Sequence, residues 1–345
     1  MTTLSTLVAE SIAARGDDFE VAVFGSSTPD LVAALLERYC AEHLTPVDEA
    51  LFYRVSVGAV AAFVLAGGRR VVVKVHRWNA DKIRLAAVQR VQRHLRAEGI
   101  PAPTPLVAPT ALGAGVATAE EHLGGRTARG LDPAVRAALA TQLHRIVTVA
   151  STIVGVEEVG GSTPAADTDA PLWGEPHDLK FDFAASAAGA EWIDDLARAA
   201  RTRVASHREP AVIGHLDWRV EQCAFADDGV SIVAIYDWDA LALAPEPVVV
   251  GQAATQFGID WRAPVVEFPT VADMRGFVHD YEIARGAPFT FAQRDLLDAA
   301  SVALTCYGAR CQHSLVTLNP EVGAPADGWW IGSLRTRPDG ALTLR

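Results

Sequence analysis

Between positions 212 and 241 the chain reads VIGHLDWRVEQCAFADDGVSIVAIYDWDAL, and its polar residues fall in a pattern that could do chemistry. His215 and Asp217 stand two apart, Gln222 follows five positions after Asp217, and Asp237 and Asp239 close the stretch. Between them lie Cys223-Ala224-Phe225, the trio Asp227-Asp228-Gly229, and a run from Val230 to Tyr236 rich in β-branched residues. Asp-Gly between two apolar runs predicts a hairpin, because glycine accepts the positive φ that the turn demands. A hairpin returns the chain to its starting end, so Asp217 and Asp237 should meet there. Two carboxylates held together repel unless a cation or a proton lies between them. The arrangement therefore suits metal binding or proton transfer. It equally suits a solvated hairpin end, where the acids only cap a turn.

A second feature is Lys74 in the run RRVVVKVH, residues 69 to 76. On a strand, its β-branched neighbours should fill a core while the lysine points the other way. The bland reading is an edge-strand lysine that discourages strand-to-strand aggregation. Upstream, residues 50 to 68 read as strands interrupted by Ser56-Val57-Gly58 and ended by Gly67-Gly68. An isolated glycine such as Gly58 marks a bulge or a close backbone approach.

Helical spacing predicts the elements that position these groups. Residues 27–43 read as an amphipathic helix with Leu31, Leu35 and Leu36 on one face, and 81–97 as another with Ile83, Ala87, Val91 and Leu95 on its stripe. No Glu lies between Asp81 and Glu98; Gln89 and Gln92 are the nearest polar groups. Short strands follow at 105–108 and 115–119, then Glu120-Glu121-His122-Leu123-Gly124-Gly125, which reads as a loop. Helices are predicted at 133–154 (holding His144), 188–207, 248–257, 270–285 and 292–313. Thr270 is the N-cap of its helix, with Asp273 three residues on and Gly286 past the end. Residues 159–183 read as a long Gly/Pro/Asp-rich loop with Trp173, Phe181 and Phe183, the kind that often serves as a lid. The tail from Gly323 carries Trp329-Trp330.

The chain has 345 residues, half apolar and a fifth charged, a size for two lobes with sizeable cores. Its net charge of −12 disfavours nucleic acid and anionic lipid and favours a cationic small molecule. The apolar runs fall short of the ~20 residues that span a bilayer. With no signal peptide legible at the N-terminus, a cytoplasmic location is expected. Cys40, Cys223, Cys306 and Cys311 are too scattered for a disulfide framework. Cys306, Cys311 and His313 could be imagined as a metal group, but Cys306 sits in an apolar periodic segment, where a thiol behaves as a small hydrophobe.

Taken together, His-x-Asp, the amide five residues on, the hairpin and the Asp opening Asp-Trp-Asp resemble the core of the aminoglycoside phosphotransferase and choline kinase family, relatives of the protein kinases. The resemblance implies an α+β, two-lobed kinase-like fold, with a small antiparallel-sheet N-lobe (1–122) and a mainly helical C-lobe (123–345). It implies ATP and Mg²⁺ as cofactors and a hydroxyl-bearing small molecule as acceptor. Asp217 would be the catalytic base, His215 a loop-shaping catalytic residue, and Gln222 and Asp237 the metal ligands, with Asp239 an additional acidic site residue. Lys74 would grip the nucleotide phosphates under a turn at Ser56 and Gly58. The hinge at Glu121, His122 and Leu123 would meet the adenine edge. The sequence departs from the kinase pattern in the missing helix Glu, in its single-glycine turn and in Gln for Asn. Two other readings stay open: a kinase-like ligand-binding protein without activity, and a metal-dependent hydrolase built on His215, Asp217, Asp237 and Asp239. No G-x-S-x-G elbow supports a serine hydrolase.

Overall fold

In the computed structural model, which describes residues 3–160, 171–322 and 330–336, the chain divides into two compact units, Met1–Gly124 and Gly125–Arg345. The first runs α1 (Leu4–Arg15), α2 (Asp18–Phe24), α3 (Pro29–His43), β1 (Val47–Val55), β2 (Ala59–Leu65), β3 (Arg70–His76), α4 (Lys82–Ala97), β4 (Pro105–Leu112) and β5 (Gly115–Glu121). The strands form one antiparallel sheet in the order β1-β2-β3-β5-β4.

Strand alternation gives this sheet two unlike faces. Val71, Val73 and Val75 of β3, with Ala117 and Ala119 of β5, share a buried cluster with Leu4, Phe19, Leu36 and Tyr39 of the N-terminal helices. Val72, Lys74 and His76, with Thr118 and Glu120, therefore occupy the opposite face. A buried Glu20, paired with Arg15 and accepting a 2.9 Å hydrogen bond from the Tyr53 hydroxyl, ties α1 and α2 to β1. Two predicted core positions are displaced outward, Leu31 (56 % exposed) and Ile83 (66 %). Ile83 precedes the buried stripe of α4, whereas Leu31 lies beside the buried face of α3 rather than on it. In α3 the buried face runs through Val32, Leu36, Tyr39 and Cys40 instead.

The loop Ser56–Gly58 closes β1 onto β2, with the Ser56 N–H donating to Gly58 O at 3.0 Å. Gly58 marks a close approach: a Cβ there would stand 2.7 Å from the carbonyl oxygen of Val75, one residue past Lys74. Gly58→Ala must push β3 away, and overpacking of this kind costs about 2 kcal/mol. We expect a lower urea midpoint with an unchanged slope.

The second unit runs α5 (Pro133–Ala150), α6 (Glu191–Ser206), β6 (Ala211–His215), β7 (Cys223–Phe225), β8 (Ile232–Ile235), β9 (Leu241–Pro245), α7 (Glu246–Gln256), α8 (Val271–Arg285), α9 (Phe291–Leu318) and α10 (Trp330–Arg335). The predicted hairpin is β7–β8, with Gly229 at φ 72°. It is nested inside a second antiparallel pair, β6–β9, which the sequence reading did not anticipate. Thr270 and Asp273 form a reciprocal capping box at α8, and Gly286 ends it in the left-handed region. Arg203 bonds Asp295 (2.8 Å) and Asp298 (3.1 Å), pinning α6 to α9. Residues 161–170 of the predicted long loop, and Trp329 with most of the tail, lie outside the described residues.

Candidate active site

From Asp217 to Glu221 the chain reads Asp-Trp-Arg-Val-Glu, an alternation that sends Trp218 and Val220 inward (0 % and 2 % exposed). The Trp218 indole N–H donates to Leu139 O at 3.2 Å, fixing the loop to α5. Asp217, Arg219 and Glu221 are left on the other side. Arg219 Nη2 donates to Asp217 Oδ2 at 2.7 Å and lies 2.9 Å from Glu221 Oε1 in an ion pair. The sequence reading missed Arg219; its signal is that alternation, which sets one cation between two acids.

Asp217 and Asp237 come together as the hairpin predicted. The Gln222 amide nitrogen lies 3.3 Å from Asp217 Oδ2 and 3.4 Å from Asp237 Oδ2, bridging the two carboxylates. Loss of hydration pushes the Asp217 carboxyl up from its ordinary value; Arg219 opposes that rise and Asp237 adds to it. Asp237 has φ 63° and ψ 40°, and among the described residues it is the one non-glycine at positive φ. Such backbone strain persists where surrounding structure enforces it, often at functional sites. Asp239 lies two residues on, in a short 3-10 turn.

His215 ends β6 and is fully buried, its Nε2 3.1 Å from Tyr236 O. Its ring stands edge-on to Trp218 (5.4 Å) and Trp238 (6.0 Å). It joins the Asp217 loop to the residue preceding Asp237, away from solvent. His144 of α5 is half-buried and packs edge-on against Tyr281 of α8.

In the first unit, the order β1-β2-β3-β5-β4 places Lys74 on the central strand, opposite Val60 and Thr118. That removes the edge-strand explanation, since no edge needs blunting there. Glu121 is held by the Thr104 hydroxyl (2.7 Å) and by Arg96 (3.3 Å). Burial raises its carboxyl, but these hydrogen bonds and cations outweigh it, so the group lies below the usual range. The backbone N–H groups of Glu121 and His122 donate to Thr104 O and Arg70 O. Burial, then Arg70, lowers the His122 pKa, and its buried Nδ1 has no hydrogen-bond partner. Leu123 follows directly.

The chain's own residues fit Mg²⁺ and a nucleotide. Mg²⁺ is commonly held by one or two carboxylates plus substrate phosphates and water, without an all-protein cage. Asp237 and Gln222 offer that kind of partial set. Arg219 Nε, buried and without a partner beside Asp217, suits an anion. Among the described residues no three His, Cys, Asp or Glu side chains group to hold a metal. The hydrolase cluster of His215 with three aspartates is therefore not assembled, and neither is one of Cys306, Cys311 and His313. Nor is any single described helix long and apolar enough to cross a membrane.

An antiparallel-sheet N-lobe, a helical C-lobe and an acid-amide-acid loop and hairpin define a protein-kinase-like small-molecule phosphotransferase. The chain belongs to the phosphotransferase enzyme family, whose model matches residues 55–264. No curated protein matches it closely enough to count. Among solved structures, it is similar to a microcompartment-associated aminopropanol kinase (TM-score 0.60, 14 % identity, covering 90 % of this chain and 100 % of that one). An amicoumacin kinase in complex with AMP-PNP and Ca²⁺ gives TM-score 0.57 at 10 % identity, over 85 % and 95 %. An ethanolamine kinase from Plasmodium vivax gives 0.54 at 13 %, over 96 % and 92 %. At these identities the likeness speaks for the fold.

Proposed function

We propose that the enzyme, acting in the cytoplasm, transfers the γ-phosphate of ATP to a hydroxyl of a small cationic or sugar-like molecule. The observation that carries this reading is the Gln222 amide bridging Asp217 and Asp237, with Arg219 on Asp217. Phosphoryl transfer needs little covalent help from a protein; it needs positioned charge and an oriented acceptor. Asp217 accepts the hydroxyl proton, and Arg219 and Gln222 hold its carboxylate at the position where that proton arrives. Lys74 would grip the nucleotide phosphates with Ser56 and Gly58 of the adjoining turn, and the segment Glu121-His122-Leu123 would meet the base. Asp237 and Gln222 would hold Mg²⁺, which when bound neutralises charge on the phosphate oxygens. The net charge of −12 favours a cationic acceptor. The names of the aminopropanol and ethanolamine kinases point to amino alcohols.

Screening Mg²⁺-dependent ATP turnover against hydroxylated amines and sugars tests the reading, with Lys74→Ala as its control. Turnover of substrate without nucleotide, indifferent to Lys74→Ala, would refute it. Gln222 carries its amide one methylene further out than Asn, so it fits the strict octahedron of Mg²⁺ less readily and Asp237 dominates affinity. Mg²⁺ titrations of ATP binding should show Gln222→Asn tolerated and Gln222→Ala weakened about tenfold. Asp237→Ala should lose more than that.

A further inference from the structure

The helix that follows the Lys74 strand carries no acid to face it, yet a buried carboxylate lies within a diagonal step of that lysine. We infer that Glu120 of β5 serves as the positioning carboxylate for Lys74, supplied from the sheet and linked to α4 through Gln92. This rests on the reading of Lys74 as the phosphate-gripping residue.

The register makes the case. In the β3–β5 ladder Lys74 is opposite Thr118 and Val72 is opposite Glu120. Lys74 and Glu120 are therefore diagonal neighbours on one face, about 7–8 Å apart at Cα, within reach of long side chains. The same diagonal is already bridged one step along. His76 is opposite Val116, yet its Nε2 meets the Thr118 hydroxyl at 3.3 Å. Lysine and glutamate are both longer than that pair and span the same offset more easily.

The face itself suits an ion pair. Glu120 is 9 % exposed, and an ionised carboxylate that deep requires a cation or several donors. Gln92 Nε2 supplies one donor, 2.8 Å from Glu120 Oε2, and also reaches Pro103 O at 2.9 Å. Gln89 Nε2 donates to Val107 O at 2.9 Å. The two glutamines thus join α4 to the strands through uncharged amide donors, and Gln92 orients the Glu120 carboxylate. A helix that needs no charge of its own can dock through amides because the charge already stands on the neighbouring strand.

The chain has three lysines, Lys74, Lys82 and Lys180, so their side-chain signals are separable by NMR of ¹³C-labelled lysine. In Glu120→Gln, which keeps the shape and the Gln92 bond, the Lys74 amine should titrate at lower pH while Lys82 and Lys180 stay put. Mg·ATP affinity should fall about tenfold with an unchanged melting temperature. Combining it with Lys74→Ala should cost no more than Lys74→Ala alone. The exchange Glu120→Gln with Gln92→Glu moves the charge across an existing hydrogen bond and should restore most of the affinity. An unmoved Lys74 titration, or losses that add to Lys74→Ala, would overturn the assignment. The NMR readout uses no nucleotide. If Lys74 titrates as expected while Lys74→Ala leaves ATP turnover intact, the proposed function fails and the pairing stands.

Discussion

Asp217→Asn should lower turnover roughly 10³-fold, within the range lost when a positioned base is removed. The substitution keeps the side chain's size and an oxygen for Arg219, so the loop should keep its shape and Mg·ATP its affinity. The loss should therefore appear in kcat and leave nucleotide binding near wild type. The indole N–H resonance of Trp218 offers a check that the loop is intact, since that ring is fully buried and bonded to Leu139 O. A variant that binds Mg·ATP normally and turns over at the wild-type rate would remove Asp217 from the base role.

Asp237→Ala should be at least as damaging, by a different route. Metal-assisted charge stabilisation is worth several kcal/mol, and at 1.36 kcal/mol per decade its loss corresponds to about 10³-fold or more. Here calorimetry should show productive Mg·ATP binding lost, and excess Mg²⁺ should recover little. The contrast between the two aspartates is the informative quantity. They share the Gln222 amide, yet one loss should appear in kcat alone and the other in nucleotide affinity.

Much of this site was legible in the chain because its signals are local. The Asp-Gly turn and, elsewhere in the fold, the Thr270–Asp273 box act over a few residues, where backbone geometry leaves few choices, and the turn in its hairpin brings Asp217 and Asp237 together. What stayed hidden depends on pairing between distant segments. That β3 is central, and so that Lys74 is no edge residue, follows from a ladder with β5 more than forty positions away. The same ladder brings Glu120 to the face of Lys74, which a search for an acid on α4 could not reveal. The β6–β9 pair was invisible for a similar reason: five-residue strands separated by the whole hairpin carry little periodicity of their own. Ile83 and Leu31 follow helical spacing faithfully, but spacing does not say where along a helix burial begins, as at Ile83, or which of two adjacent apolar residues faces the core, as at Leu31 and Val32.

With Asp237 in its proposed metal-holding role, its left-handed backbone sets function against thermostability. A residue with a Cβ holds that conformation at a cost, which for most types is about 1–2 kcal/mol and for glycine is nil. Asp237→Gly would discard the carboxylate and relax the backbone together, and should melt above Asp237→Ala. Selection for heat resistance alone would thus drift towards an inactive glycine at this position, and only a screen that also demands turnover would keep the aspartate.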